Sequence, residues 1–190
     1  KSLSYFTLWS LVKEVGRSLS ALEQGQQKPI IGILSHNQLN CVLVDLACLS
    51  FGYRVVPIPL NATTEHVSFI IEHSEITHLF LGGKKGNDIW NDINERPLIN
   101  TISMDKVVRS IKSLDWEQFL EIGDQSITFN VDKKMNSVNI NDTQSIMYTS
   151  GTTDNPKGIM FSQFNMISKR FSRALALPDI GSDDIFLCYL

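Results

Sequence analysis

Residues 30–58, "IIGILSHNQLNCVLVDLACLSFGYRVVPI", decide the fold. They open on a continuous apolar run, 30–34, of strand length, as expected of a strand buried on both faces. Residues 38–52 are then apolar nearly all round and stop at Gly52, which predicts a buried helix. "RVVPI" (54–58) reads as a second strand, kept short by Pro57 and Pro59, which cannot donate to a ladder. Outward from this unit the alternation continues. Upstream, Leu8, Leu11, Val12, Val15, Leu19 and Leu22 recur at helical spacing, with Thr7 as the expected N-cap and Gly25 as the stop. Downstream, "TTEHVSFIIEHSE" (63–75) puts Val67, Ile70 and Ile71 on one helical face, and the strand "THLFL" (77–81) follows, stopped by Gly82 and Gly83. This order predicts an α/β layered fold, a mostly parallel sheet flanked by helices.

Residues 84–103 predict one more helix and strand. "DWEQFLEIG" (115–123) predicts a short helix, and the polar stretch from there to Asp142, with no steady period, predicts a loop. Order returns with "SIMYTS" (145–150) as a strand, a hydroxyl-rich loop, "KGIMFS" (157–162) as another strand, and a helix carrying Phe164, Ile167, Phe171 and Leu175 on one face. Pro178 ends that helix. The chain starts at Lys1, and "DDIFLCYL" (183–190) reads as a strand cut short, so both ends read as the limits of a fragment.

Composition narrows the function. Of the 190 residues 43% are hydrophobic, enough for one sizeable core, and the formal charge of -3 comes from charges spread along the chain, which leaves no footprint for nucleic acid. Cys41, Cys48 and Cys188 are an odd set without metal-ligand spacing; they read as reduced, with Cys41 and Cys48 packing on one side of a helix. No apolar run approaches a membrane span and no signal-peptide pattern occurs, so the expected location is the cytoplasm. His36, His66, His73 and His78 are scattered, and only His66 and His73 share a helix. Trp9, Trp90 and Trp116 read as packing residues, "GGKKG" (82–86) as a solvated turn, and Asp183 and Asp184 as neighbours that diverge along a strand.

Between the last two predicted strands, "YTSGTTDNPKG" (148–158) carries four hydroxyl side chains after its tyrosine, two glycines and a lysine. Backbone N–H groups and hydroxyls converging in such a loop make a nest for anionic oxygens, and the lysine adds a mobile positive charge. By composition alone a Ser/Thr-rich surface turn is equally open. The Walker pattern G-x-x-x-x-G-K-S/T is excluded, because Gly158 follows Lys157 instead of preceding it.

The longer run "YTSGTTDNPKGIMFSQFN" (148–165) resembles the signature of the adenylate-forming enzymes, which include acyl-CoA synthetases, adenylation domains of peptide synthetases and luciferases: Y/F-T-S-G-S/T-T-G-x-P-K-G-V-x-x-x-H-x-N. Residues 4–22, 29–75 and 141–153 agree with the same family in order and spacing. The resemblance implies that 1–190 is a partial N-terminal AMP-binding domain with its phosphate loop at 148–158, the rest of that domain and a small C-terminal domain lying beyond Leu190. It implies an acid–thiol ligase: a carboxylate attacks the α-phosphate of ATP to give an acyl-adenylate and pyrophosphate, and a thiol, that of CoA, then displaces AMP. It assigns ATP phosphate contacts to Thr149, Ser150, Gly151, Thr152, Thr153 and Lys157, a catalytic part to Lys157 and Thr152, and the contact with Mg2+ to Thr152. A fatty acid is the implied small-molecule carboxylic acid, and the isolated 190 residues are expected to be inactive.

Two positions depart from the signature. Asp154 stands where the family has its second glycine, and Gln163, a neighbour of the implied acyl pocket, where it has histidine. A carboxylate about 6 Å from a phosphate charge costs roughly 3 kcal/mol at an effective dielectric of 20 and under about 1 kcal/mol when water screens it. Magnesium nearby reverses the sign, since a carboxylate is a hard ligand. Two alternatives therefore stand beside the ligase: an amino-acid-activating domain serving a carrier protein, and a non-catalytic nucleotide-binding or interaction module.

Overall fold

The structure, a computed structural model, describes residues 2–23, 25, 27–105, 113–125, 129–149 and 155–177. In chain order the elements are α1 (Tyr5–Ala21), β1 (Ile30–Ser35), α2 (Leu39–Phe51), β2 (Arg54–Pro57), α3 (Thr64–His73), β3 (His78–Gly82), α4 (Gly83–Asp92), β4 (Asn100–Ser103), β5 (Ser113–Asp115), α5 (Trp116–Asp124), α6 (Val131–Asn136), β6 (Thr143–Thr149), β7 (Lys157–Ser162) and α7 (Gln163–Ala176). The strands described form one sheet in the order β5-β4-β3-β1-β2-β6-β7. All neighbours are parallel except β6 and β7, which are antiparallel.

Two apolar layers hold the sheet. Alternation along β1 sends Ile31 and Ile33 to one face, where Val12, Val15 and Leu19 of α1, Val44, Cys48 and Phe51 of α2 and Phe119 of α5 meet them. Leu34 points to the other face, with Val67, Ile70 and Ile71 of α3 and Trp90 of α4. Each fully buried Leu, Ile or Phe contributes about 1.5–3 kcal/mol, so β1, covered on both faces, anchors the molecule. Since β2 and β3 flank β1 and run parallel to it, their carboxyl ends share one edge. Strand β6, parallel to β2, ends on that edge at Thr149. Ligands of open α/β sheets gather at this edge.

The predicted strand–helix order holds, with β7 the one antiparallel strand of the sheet described. Four expectations are corrected. The N-cap of α1 is Ser4, whose side chain accepts from the Thr7 N–H, so Thr7 lies inside the first turn. "GGKKG" opens α4 instead of forming a solvated turn: the Asp105 carboxylate accepts from the Gly83 N–H, and Gly86 lies so close to β1 that a Cβ there would sit 2.4 Å from the Leu34 carbonyl oxygen. The stretch expected as a loop contains α6, capped by Asn130, whose Oδ1 accepts from the Lys133 N–H at 2.8 Å. The short strand β5 extends the sheet just ahead of the predicted helix, now α5. Cys48 is buried and Cys41 packs against the same layer, as expected. Cys188, Asp183, Asp184, Pro178 and the strand expected at the end of the chain lie outside the described residues.

At the first residue of α7, the Gln163 amide donates to the Leu49 carbonyl of α2 at 3.2 Å. The face carrying Phe164, Ile167, Phe171 and Leu175 is exposed.

Candidate functional site

The phosphate-loop sequence connects β6 to β7. Tyr148 pairs with Gly158 and Thr149 with Lys157, so β6 and β7 form an antiparallel hairpin whose mouth, at Thr149 and Lys157, lies on the carboxyl edge of the sheet. Residues directly opposite in such a pair share a face, with Cβ atoms about 4.5–5.5 Å apart. The Thr149 and Lys157 side chains therefore leave the hairpin from adjacent positions on one face, both from exposed residues. Lys157 makes no ion pair with another described residue. Ser150, Gly151, Thr152, Thr153 and Asp154 lie outside the described residues.

Beneath the mouth, Tyr148 is 8% exposed. Its hydroxyl lies 2.7 Å from His73 Nδ1 and 3.0 Å from Ser74 Oγ, at the carboxyl end of α3. The His73 ring meets Tyr148 edge-on and stacks on Phe69. Gly158 lies over the Tyr148 ring, where a Cβ would come within 3.1 Å of Cζ. Beside the hairpin opens a cavity of about 370 Å³, walled by Tyr148, Thr149 and Pro156 on one side and by Asn61, His66 and Ile70 on the other. That volume lies within the range of small-molecule sites. The wall from Asn61 to His66 is built by the turn after β2 and by the first turn of α3, whose cap Thr63 accepts from the His66 N–H at 3.3 Å.

The structure brings Thr149 and Lys157 together and leaves Gln163 apart. Gln163 follows the far end of β7, where Ser162 pairs with Thr143, about 20 Å of strand away from Lys157. Its amide donates to α2, and its Oε1 is buried with no hydrogen-bond partner among the described residues. Sequence reasoning missed Asn61 as a wall of the cavity and His73 and Ser74 as partners of Tyr148. A signal existed for the last two: a buried tyrosine hydroxyl needs a polar partner, and "EHSE" offers two at the end of a neighbouring helix. Among the described residues no cluster of His, Cys, Asp or Glu could hold a metal ion, and no helix is long and apolar enough to cross a membrane.

Known proteins resemble this chain in sequence and in fold. Across 96% of its length the chain is 24% identical to the long chain acyl-CoA synthetase 6, peroxisomal, of Arabidopsis thaliana, and across 84% it is 30% identical to the fatty acyl-CoA synthetase A of Dictyostelium discoideum. It spans 27% of the length of the first and 25% of the second. An acyl-CoA synthetase of Brucella canis superposes on 98% of the chain with a TM-score of 0.74 at 16% identity, and the match takes up 32% of that protein, which shows the common fold. The profile of the AMP-binding enzymes matches residues 1–190, the hairpin and both apolar layers included: the chain belongs to the AMP-binding enzyme family.

Proposed function

We propose that this chain is the phosphate-gripping portion of an ATP-dependent acid–thiol ligase that converts a fatty acid into its acyl-CoA thioester. The observation that carries the reading is the pairing of Thr149 with Lys157 at the mouth of a hydroxyl-rich hairpin on the ligand edge of the sheet. In this reading residues 1–190 are part of an N-terminal AMP-binding domain, and the other parts of the enzyme lie outside them. The names of the relatives favour a fatty acid over an amino acid, and CoA over a carrier protein, as acid and acceptor.

Two displacements make up the reaction. A carboxylate oxygen bonds to the α-phosphorus of ATP as the bond to the bridging oxygen breaks, and pyrophosphate leaves with that electron pair. The CoA thiol, losing its proton, then bonds to the acyl carbon and AMP leaves. In the first step Lys157 holds the charge gathering on the β- and γ-phosphates, and Thr149, Ser150, Gly151, Thr152 and Thr153 fix their oxygens in line with the attack. Catalysis of this kind is positioning and charge stabilisation, with no covalent bond to the protein. Magnesium supplies neutralising charge on the triphosphate, and the Thr152 hydroxyl is its protein ligand in this scheme. We place the enzyme in the cytoplasm, on the reduced state read for Cys41 and Cys48.

The test is thioester formation by the full-length enzyme supplied with ATP, magnesium, CoA and saturated fatty acids of increasing length. Acyl-CoA formed with AMP and pyrophosphate as co-products supports the reading. Adenylation of amino acids alone, or of no acid, defeats it.

A further inference from the structure

We propose that Tyr148 is a positioning residue for ATP: held by His73 and Ser74, it fixes the mouth of the phosphate hairpin against the end of α3. The proposal rests on the function proposed above and deepens it. Proton accounting gives the hydrogen bonds one direction. The Ser74 hydroxyl donates to the Ile70 carbonyl, so its oxygen is free to accept at 3.0 Å from Tyr148. Tyr148 has a single proton, which that bond uses, so the 2.7 Å contact is a donation from His73 Nδ1–H to the tyrosine oxygen. The relay runs His73 to Tyr148 to Ser74 to the α3 backbone, and every proton in it has an acceptor.

Position gives the relay its consequence. Tyr148 immediately precedes Thr149, and its ring supports Gly158, which immediately follows Lys157. One side chain therefore sets both arms of the hairpin at the residues next to the two side chains that leave it from adjacent positions. The same helix α3 that ends on Tyr148 carries His66 in its first turn, on the opposite wall of the cavity. A tyrosine free to shift would let the hydroxyl and the ammonium spread, and MgATP would have to order them on binding; preorganisation removes that cost.

Tyr148→Phe keeps the ring over which Gly158 packs and deletes both hydrogen bonds. In the full-length enzyme the Kd for MgATP, measured by calorimetry without acid or CoA, is expected to rise about three- to tenfold, the worth of one hydrogen bond or slightly more. The same increase is expected in KM for MgATP, with the change falling there rather than on kcat or on KM for the acid; damaged folding would lower the active fraction and leave KM alone. Ser74→Ala is expected to weaken MgATP in the same direction, and the double variant no more than Tyr148→Phe does. A wild-type Kd in Tyr148→Phe overturns the proposal, as does a loss confined to kcat. If the wild type binds MgATP yet activates no acid, the functional reading fails alone, because the binding ratio is read without turnover. A wild type that binds no MgATP overturns both.

Discussion

His78, at the start of β3, has both ring nitrogens engaged. Its Nε2 accepts from the Asn100 amide at 3.2 Å, so Nδ1 carries the proton and donates to Thr77 Oγ1 at 2.9 Å. Burial holds its pKa below the ordinary 6.5. A base with a lowered folded pKa contributes stability that is complete above its unfolded value and is lost as pH falls toward the folded one, because the unfolded chain takes up the proton first. The thermal midpoint should therefore fall as pH drops below about 6.5, and His78→Gln should make that decline shallower. An unchanged slope would mean that the imidazole is protonated without cost. Asp154 raises a question of charge. Its replacement by glycine removes one negative charge from the proposed phosphate loop, and the KM for MgATP should fall by a factor of about 3 to 100. A rise in KM together with a higher magnesium requirement would mean that the carboxylate helps to hold the ion. At this scale Cys48 was legible as a packing residue because its apolar neighbours in sequence share its fate, and Trp90 because packing is the default for an isolated tryptophan. His73 was not, since its partner Tyr148 lies 75 residues away and only the sheet order brings them together.

Helix α4 shows where local sequence stops deciding an element. Three glycines and two lysines near its start favour a turn, and the propensity cost is about 1 kcal/mol for each interior glycine. What offsets it comes from elsewhere: the Asp105 carboxylate, 22 residues on, caps the Gly83 N–H, the Asn87 amide donates to the Gly83 carbonyl, and Trp90 is buried against α3's layer. Asp105→Ala should cost about 0.5–2 kcal/mol, as loss of a cap does, and lower amide protection across 83–87 by roughly two- to thirtyfold while leaving that of β1 unchanged. Equal loss in both elements would show that Asp105 supports the whole sheet instead of one helix end. Helix α6 was missed for a related reason, being six residues long with no buried side chain to give it a period. Helices α2 and α3 and strand β7 were marked by their apolar residues, with Gly52 as the stop of α2, within a residue or two. The regular stripe of α7 was equally legible, yet Phe171 and Leu175 on it are 64% and 67% exposed in this chain.

For the whole molecule, the alternation of short apolar runs with helices was enough to predict a layered parallel sheet, because βαβ units allow few other arrangements. It did not predict that β6 would join at β2, leaving the carboxyl ends of β1, β2, β3 and β6 on one edge; that follows from long-range pairing, which local periodicity does not encode. The loop sequence carried the functional proposal, and the fold supplies its setting: a hairpin whose two arms bring Thr149 and Lys157 opposite each other beside a cavity of ligand size. The central claim is that this hairpin grips the triphosphate of ATP during activation of a carboxylic acid. It is tested most directly by acid-dependent exchange of labelled pyrophosphate into ATP in the full-length enzyme, with wild type and Lys157→Ala compared over a range of MgATP concentrations. The account predicts exchange only when a fatty acid is present and, in the variant, a loss of at least about tenfold in kcat/KM for MgATP, as expected when a charge facing developing phosphate charge is removed. Exchange that proceeds equally well in Lys157→Ala would contradict it.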